Sequence, residues 1–538
     1  MKDIEFNLLD EPWIRVMKPD CTVEEVSLTD ALLHAHEYED LAGELPTQDI
    51  AIMRVLLAVL HTVFSRVDVE GNPEPLDEDN ALERWGELWE LGAFPEKSIR
   101  DYLKQWHERF WLFHPERPFY QVPELNIGTE YSAKKLNGTI SESDNKVRLF
   151  SSRDGNYKET LSFSESARWL INLNAYDDNS GKPVPRGANL PSCGVGWLGQ
   201  LGLIMAVGNN LFETLLLNLV FLHNGKKLWE KDIPVWEYSS VHTDQRKEIA
   251  VPNNLAELFT LQSRRILLVR KDNLVTGFRS LGGVFFDRKN CYPYEPMTLW
   301  CYDKDNKGNN IGYKPYLHNF SKQIWRDFPA IVGNEDNSEI SGIALWIKAV
   351  IDEYPQIRKR MMRFKMAGVV YGGGSQKSNI ENVFSDFLSF HAGLLTESGR
   401  QWQERIKSEL VSIDDIAKLV WKLASDLVKA AGGENQEFAN RAKEQYYFRV
   451  NQPFRTWLEN LTSGQNPEEM NYIQLKWRDK AKTIAKDLGR ELVEESGPEA
   501  FSGRKIVDKN NKEYFYSAPE AFNAFINRLT HIYDSKGA

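Results

Sequence analysis

A glycine-rich stretch at Tyr371–Ser378, with the sequence Y-G-G-G-S-Q-K-S, carries the side chains of this chain that are best placed for chemistry. Its three consecutive glycines lack Cβ atoms, so the backbone can turn sharply and approach another molecule closely. Gln376 can donate and accept hydrogen bonds, and Ser375 and Lys377 add a hydroxyl group and a positive charge beside it. Because the upstream stretch 358–365 is basic (R-K-R-M-M-R-F-K), this combination indicates contact with a phosphate group or a nucleic acid.

The same stretch differs from the phosphate loop of enzymes that hydrolyse nucleotides. Such a loop has the pattern G-x-x-x-x-G-K-[ST], in which a glycine directly precedes the lysine. Here Gln376 stands before Lys377, and no apolar strand that ends in Asp follows to hold magnesium. The sequence therefore argues against nucleotide hydrolysis, while a surface hairpin without any partner is an open alternative.

Two further segments combine cations with groups that suit a nucleic acid. The segment 180–187 reads S-G-K-P-V-P-R-G, and its glycines and cations could approach a sugar-phosphate edge. Phe150 lies near Arg148 and Arg153, and its ring could stack on a base. A solvated proline-rich loop in the first case, and a core aromatic residue in the second, are the competing interpretations.

The other titratable residues form no catalytic or metal-binding pattern. His34 and His36 lie near two acids, but residues two apart on a helix point to different faces, which favours a solvated helix end. The four cysteines form no C-x-x-C pair and predict neither a zinc site nor a disulfide framework. No nucleophile elbow or zinc-protease motif occurs either. We therefore expect a protein that is not an enzyme and that has no metal and no cofactor.

Composition and charge exclude further classes of protein. The net charge of −11 differs from that of proteins that coat nucleic acid, which are usually basic, but it permits local basic patches. In an assembly, other subunits could neutralise most of the phosphates. The sequence contains no uninterrupted apolar run of about twenty residues, so we expect no membrane span. Its start, M-K-D-I-E-F-N, lacks the pattern of a signal peptide. These features predict a cytoplasmic protein with reduced thiols.

Apolar periodicity predicts the elements that must position these segments. Helical spacing from Ile50 to Phe64 predicts a helix with one buried face. In Met362–Val370 apolar and basic residues alternate, which predicts a half-buried strand that leads into the glycine run. Long amphipathic helices follow after about residue 382, and Gly432-Gly433 predicts the end of the first of them. We predict an α+β fold class: a large mixed α/β N-terminal domain at residues 1–381, followed by an all-α C-terminal helical domain, a four-helix bundle, at residues 382–538.

Taken together, these segments resemble the CasA family, the large subunit of the type I-E CRISPR surveillance complex called Cascade. The resemblance rests on motifs that follow one another in the order of the family, and none of them is catalytic. They are F-N-L-L-D-E-P-W-I-R-V (Phe6–Val16), H-P-E-R-P-F-Y-Q-V (His114–Val122), S-A-R-W-L-I-N-L-N-A-Y-D (Ser166–Asp177) and G-W-L-G-Q-L-G (Gly196–Gly202).

The resemblance implies that the chain takes part in DNA target recognition. In this family the large subunit reads a short protospacer-adjacent motif in double-stranded DNA, largely from the minor groove. A glutamine wedge then enters the duplex and starts strand separation, so that the CRISPR RNA can pair with the target strand. Gln376 matches this wedge, with Ser375 and Lys377 on either side.

The resemblance also implies two further DNA contacts. Ser180, Gly181 and Lys182 resemble the glycine loop of the family, with fewer glycines than some members have. A lysine that probes the minor groove falls in D-R-K-N (Asp287–Asn290), where Lys289 is our choice and Arg288 is nearly as good.

Partners beyond the DNA follow from the resemblance as well. The region around Arg148, Phe150 and Arg153 resembles a loop that meets the complex near the 5′ end of the guide RNA. Other Cascade subunits, and a helicase-nuclease recruited after strand separation, are the remaining partners that it implies. Two alternatives compete with this reading of the sequence: a stand-alone nuclease or nucleotide hydrolase, and a scaffold that only bridges other subunits.

Overall fold

The structure is a computed structural model, and its chain forms two compact units. It describes residues 4–138, 153, 155–179, 192–239, 247–333, 338–374, 377–507 and 513–534. The first unit comprises Met1–Ile324, Ala330–Ile357 and Met362–Phe387, and the second comprises Trp325–Pro329, Arg358–Met361 and Leu388–Ala538. The predicted mixed α/β character is confirmed. The predicted domain boundary at residues 381 and 382 stays a prediction.

Short helices and one long helix occur before residue 360. They are α1 (Leu28–Leu33), α2 (Pro46–Phe64), α3 (Ala81–Leu91), α4 (Glu96–Gln105), α5 (Ala133–Leu136), α6 (Phe163–Tyr176), α7 (Leu211–Leu217), α8 (Leu255–Phe259), α9 (Phe328–Val332) and α10 (Gly342–Glu353). Ser162 begins α6 with a reciprocal capping box to Glu165, which satisfies two backbone N–H groups that would otherwise lack partners.

The strands are mostly short, with one long pair near the glycine run. They are β1 (Glu5–Asn7), β2 (Ile14–Met17), β3 (Val23–Val26), β4 (Asp40–Leu41), β5 (Trp111–Phe113), β6 (Thr129–Ser132), β7 (Leu203–Val207), β8 (Lys247–Glu248), β9 (Arg264–Lys271), β10 (Leu274–Gly282), β11 (Val284–Phe285), β12 (Trp300–Lys304), β13 (Asn310–Pro315), β14 (Ser338–Glu339), β15 (Met361–Gly372), β16 (Asn379–His391), β17 (Arg504–Val507) and β18 (Glu513–Tyr516).

These strands form several small sheets rather than one large one. The strand orders are β1-β5, β3-β2-β4, β6-β10-β9, β11-β8, β13-β12-β14, β16-β15-β7 and β17-β18. Strand β15 runs antiparallel to β7, with Phe364 opposite Ala206 and Met366 opposite Ile204. Met362, Phe364 and Met366 are buried on one side of β15, so the predicted half-buried strand is confirmed.

Helix α2 is the central core helix of the first unit. The sequence predicts one buried face, but every residue from Ile50 to Phe64 is buried, because α2 packs against α4, α6, α7 and α8. By length and composition α2 could cross a membrane, yet 94% of its most apolar window is buried inside the protein. Such burial is typical of a core helix.

A buried ion pair ties α2 to a distant part of the chain. Arg54 on α2 donates from Nη1 and Nη2 to both carboxylate oxygens of Glu295, at 2.8 and 2.9 Å. Trp197 Nε1 donates to the same carboxylate at 3.0 Å. Both charged side chains are almost fully buried, so each depends on the other for the compensation of its charge.

The second unit consists mainly of long helices. They are α11 (Arg400–Ala431), α12 (Glu437–Glu459), α13 (Pro467–Glu495), α14 (Gly497–Ser502) and α15 (Ala518–Thr530). Helix α11 packs against α12, α13 and α15, and an aromatic cluster of Phe454, Trp457 and Trp477 fills the space between helices. As the sequence predicts, Gly432 ends α11 in the left-handed conformation, with φ at +89°.

The prediction that the C-terminal part is all helical is wrong in two respects. Strand β16 continues to His391, past the predicted boundary, because it pairs with β15. Strands β17 and β18 form a second hairpin, which Arg504 fixes to the end of α11 by donating to Ala431 O at 3.1 Å. Trp325 also belongs to this unit, and its Nε1 donates to Asn451 at 2.8 Å. The contacts of Trp325 and Arg504 join residues distant in sequence, so local periodicity does not reveal them.

Replacing Glu295 by Gln tests the importance of the buried pair. We expect Glu295→Gln to lower the free energy of unfolding by about 3–5 kcal/mol, because Arg54 becomes an uncompensated buried charge. Urea denaturation measures this loss. The matched variant Glu96→Gln removes an exposed pair with Arg100 and should cost less than about 0.5 kcal/mol. Equal losses in the two variants would contradict this role of the pair.

Candidate nucleic-acid interface

The glycine-rich stretch forms the turn of the β15-β16 hairpin. Gly373, Gly374 and Lys377 have positive φ angles of +78°, +62° and +49°. Ser378 N donates to Gly372 O at 3.1 Å, which closes the turn. A Cβ atom at Gly373 would lie 2.3 Å from Ser378 Oγ, whereas the space beside Gly374 is open. The hairpin therefore favours glycine at Gly373 mainly for its conformation, and a Cβ atom would in addition force the Ser378 side chain to move.

Seven of the predicted site residues lie outside the described residues. They are Arg148, Phe150, Ser180, Gly181, Lys182, Ser375 and Gln376. Their roles stay predictions. The structure describes the other four candidates, Arg153, Arg288, Lys289 and Lys377, and the residues that border the remaining seven.

The base of the predicted glycine loop lies against the hairpin. Asn179 N, directly before Ser180, donates to Lys377 O at 3.0 Å. Ser192 Oγ donates to Asn179 Oδ1 at 2.5 Å, so both ends of segment 180–191 meet at this point. The structure thus brings together two segments that are about 200 residues apart in the sequence and that we predicted separately.

A buried charge cluster holds this loop base in place. Arg264 at the start of β9 is 0% exposed, and its Nε donates to Asp177 Oδ2 at 2.7 Å. Its Nη2 donates to Asp178 O at 2.8 Å and to Gly194 O at 2.9 Å. Lys135 on α5 donates to Asp178 Oδ2 at 2.5 Å. Burial alone would lower the pKa of Arg264, but the carboxylates outweigh it and raise that pKa, so the guanidinium stays charged.

A second anchor fixes the last part of β15. Tyr371 Oη donates to Tyr176 O at 2.7 Å, at the end of α6. Burial raises the pKa of Tyr371 well above its usual value, so the hydroxyl is a neutral donor. A Cβ atom at Gly199 would lie 2.1 Å from Tyr371 Oη, so this glycine makes room for the contact. Gly199 belongs to the motif G-W-L-G-Q-L-G, so this contact explains why a glycine stands at that position of the motif.

The two cations of the D-R-K-N segment have different surroundings. Both lie on a short 3₁₀ turn, Arg288–Cys291. Lys289 Nζ pairs with Asp303 at 2.5 Å, and Lys314 pairs with the other oxygen of the same carboxylate at 2.9 Å. Arg288 forms no ion pair within the part of the chain that the structure describes. This geometry favours Arg288 over Lys289 as a cation that is available to a ligand.

Arg288 also acts electrostatically on the hairpin. Burial lowers the pKa of the Lys377 ammonium group, and the positive charge of Arg288 lowers it further. Lys377 Nζ lies 5.7 Å from the centre of the Tyr371 ring. The positive charges of Arg288 and Lys377 therefore add to each other locally in an acidic protein, and a positive region of this kind attracts phosphate.

Arg153 is engaged by the protein itself. Its Nη2 donates to Glu165 Oε1 at 2.8 Å and to Glu44 Oε2 at 3.2 Å, and its side chain is only 14% exposed. These contacts favour a role in fixing the chain next to the N-terminal end of α6. Contact between this residue and guide RNA stays a prediction.

The sequence did not reveal the buried charged residues that fix the base of the predicted glycine loop. Asp177 and Asp178 give a weak signal, since two acids directly after an apolar helix are unusual in a core. Nothing in the sequence pairs them with Lys135 or Arg264. In the described ranges, no group of three or more His, Cys, Asp or Glu side chains is arranged to hold a metal ion.

Solved structures of the same fold class are CRISPR-associated proteins. The crystal structure of Cse1 from Thermobifida fusca matches with a TM-score of 0.82 at 29% sequence identity, over 98% of this chain and 98% of that chain. A chain of a solved CRISPR RNA-guided surveillance complex matches with a TM-score of 0.70 over 98% of this chain and 99% of that chain. At 16% identity, the second match shows similarity of fold alone.

Sequence comparison identifies the family. CRISPR-associated protein CasA/Cse1 of Thermus thermophilus is 26% identical over 451 residues, which are 81% of each chain. The sequence model of the CRISPR-associated protein Cse1 family matches residues 7–488. The chain therefore belongs to the Cse1 family, and the resemblance to CasA is confirmed.

The two glycines of the turn differ in what a substitution should do. Gly373→Ala combines a left-handed backbone with a clash against Ser378 Oγ, so it should speed hydrogen exchange at Lys377 and Ser378 about tenfold. Gly374→Asn is the matched control, because asparagine tolerates positive φ and its Cβ meets open space, so exchange should stay near that of the wild type. Equal exchange in both variants would refute this account of the turn.

Proposed function

We propose that this chain is the large subunit of a type I-E CRISPR RNA-guided surveillance complex in the cytoplasm, and that it acts in antiviral defence. In this proposal it recognises a short protospacer-adjacent motif in double-stranded DNA and wedges the duplex open. The guide RNA then pairs with the target strand and forms an R-loop. The subunit itself is not an enzyme: it binds DNA and leaves cleavage to a recruited helicase-nuclease.

One observation carries the proposal. Lys377 links the hairpin to the base of the glycine loop through the Asn179 hydrogen bond, and it lies within the electrostatic reach of Arg288. This position of Lys377 supports a shared role for three segments that resemble DNA-reading parts of the CasA family. Sequence distance alone gives no reason for these links, whereas a common ligand does.

Physical chemistry makes this division of labour reasonable. The minor groove offers a degenerate pattern of donors and acceptors, so a few loop contacts allow permissive reading of a short motif. Insertion of a side chain between base pairs costs about a few kcal/mol of lost stacking. Guide pairing nearly balances the duplex that is lost, so a small local push at the start can decide the outcome. A neutral, flat amide such as that of Gln376 suits this task.

Similarity in fold to a chain of a solved RNA-guided surveillance complex supports the CRISPR RNA and other complex subunits as partners. Arg148 and Phe150 are the proposed contacts with the guide. The long helices of the second unit, α11, α12, α13 and α15, supply the proposed four-helix bundle, which we assign to contacts with other subunits. Recruitment of the helicase-nuclease follows from the family resemblance.

Replacing Gln376 tests the wedge. In an assembled complex, Gln376→Ala should slow R-loop formation on a correct linear duplex about tenfold to hundredfold. The reason is that the variant lacks the side chain that would insert between the base pairs and offset their lost stacking. Initial binding to the motif should change much less. On a target whose first base pairs are already unpaired, the variant should match the wild type. An unchanged rate on the fully paired duplex would sink the wedge proposal.

The two neighbouring cations provide a matched pair of variants. Arg288→Gln should weaken motif binding and reduce the slope of log K against log salt concentration by about one, as expected for one lost phosphate contact. Lys289→Gln should change the slope less, because Lys289 is already held in an ion pair with Asp303. Filter-binding titrations at several salt concentrations measure both slopes. A larger effect for Lys289→Gln would reverse the assignment.

A further inference from the structure

An open groove runs beside the hairpin in the first unit, and it shares Lys377 with the proposed wedge. Its volume is about 380 Å³, within the range of about 300–1,000 Å³ that is typical of small-ligand pockets. The residues that matter here are Leu317, Asn319, Phe320, Tyr371, Lys377 and Phe384. All of them are described residues, and Lys377 and Tyr371 connect the groove to the hairpin.

An exposed aromatic platform forms one side of the groove. Phe320 is 58% exposed, and its ring centre lies 6.5 Å from that of Phe384. Phe384 on β16 packs over Gly368 of β15, where a Cβ atom would lie 2.6 Å from the ring. Phe384 is therefore fixed against the strand, while much of the Phe320 ring faces solvent. A ring supported in this way can stack with a second flat ring system.

Polar groups at the rim specify what that ring system is. Lys377 lies at the end of the groove nearest the hairpin turn and supplies a positive charge. Asn319 Oδ1 accepts from Ser321 N at 3.0 Å, which leaves its amide NH₂ group as a donor. An aromatic face, a donor and a cation together suit an unpaired nucleotide, whose base stacks while its phosphate meets the cation. An apolar peptide segment in the groove would leave the ammonium group of Lys377 without an anionic partner.

We propose that this groove receives the first nucleobase that the hairpin displaces from the non-target strand, stacked on Phe320 with its phosphate near Lys377. The inference rests on the proposed function, because it needs the hairpin to open the duplex. The non-target strand is the source, since bases of the target strand find new partners in the guide RNA whereas displaced bases do not. Capture of a displaced base would oppose re-pairing of the duplex at the first step.

The test uses the assembled complex with the full chain and follows R-loop formation on a linear duplex. Phe320→Ala should slow this step about fivefold to 150-fold, which corresponds to about 1–3 kcal/mol of stacking for one base. Phe320→Tyr keeps the ring and should stay within about twofold of the wild type. Leu274→Ala, at another exposed apolar position in the same unit, should have no effect.

A second arm identifies the base. With an abasic nucleotide at the first displaced position of the non-target strand, the wild type should lose the same factor, and Phe320→Ala should add nothing further. An abasic nucleotide at the facing position of the target strand costs guide pairing, but it should leave the effect of Phe320→Ala in full. This pattern separates the two strands as sources of the base.

Two results overturn the inference directly: an unchanged rate in Phe320→Ala, or a Phe320→Ala effect that survives in full when the displaced base is absent. The second result would mean that the ring contacts something else, such as another protein chain. Gln376→Ala separates this failure from failure of the proposed function. If Gln376→Ala slows R-loop formation while Phe320→Ala does not, only the groove assignment falls. If Gln376→Ala has no effect, the wedge and the groove fall together.

Discussion

The candidate interface depends on the interaction of Arg264 with Asp177 and Asp178, which fixes the base of the predicted glycine loop. This interaction joins the start of β9, the residues just after α6 and Gly194 in one cluster, and Lys135 on α5 completes it. A buried charge without its partner would cost several kcal/mol, so these four elements hold one another in position. Asn179 directly follows Asp178 in the chain, and its backbone hydrogen bond to Lys377 O connects the cluster to the hairpin.

A rigid base suits the wedge role that we propose for the hairpin. The hairpin has long strands, and its last residues are fixed by the Tyr371 hydrogen bond to Tyr176 O and by the Asn179 contact. The turn itself relies on residues with positive φ, where glycine loses nothing to steric strain. The fixed strand ends and the glycines of the turn both suit the wedge that we propose, and they come from different parts of the sequence.

Local electrostatics matter more here than the net charge of −11. Many cations form ion pairs with acidic side chains of the protein itself: Lys289 with Asp303, Arg153 with Glu44 and Glu165, and Arg54 with Glu295. The pair formed by Arg288 and Lys377 is different, because the two cations repel each other. An acidic chain can therefore carry a small positive region, which is compatible with the DNA binding that we propose if other subunits contribute further phosphate contacts.

The sequence by itself determined the elements whose signal is local: the long helices, the strand before the glycine run, the glycine stop after α11 and the ordered motifs that identify the family. It also marked the hairpin turn as the place of interest. Only the tertiary structure decided which residues stand together. The Arg264 cluster, the choice of Arg288 over Lys289 and the Phe320 groove all depend on contacts between residues that are not neighbours in sequence. Local periodicity carries no information about such pairings, because the free energy that selects them arises from burial and charge compensation in the folded chain.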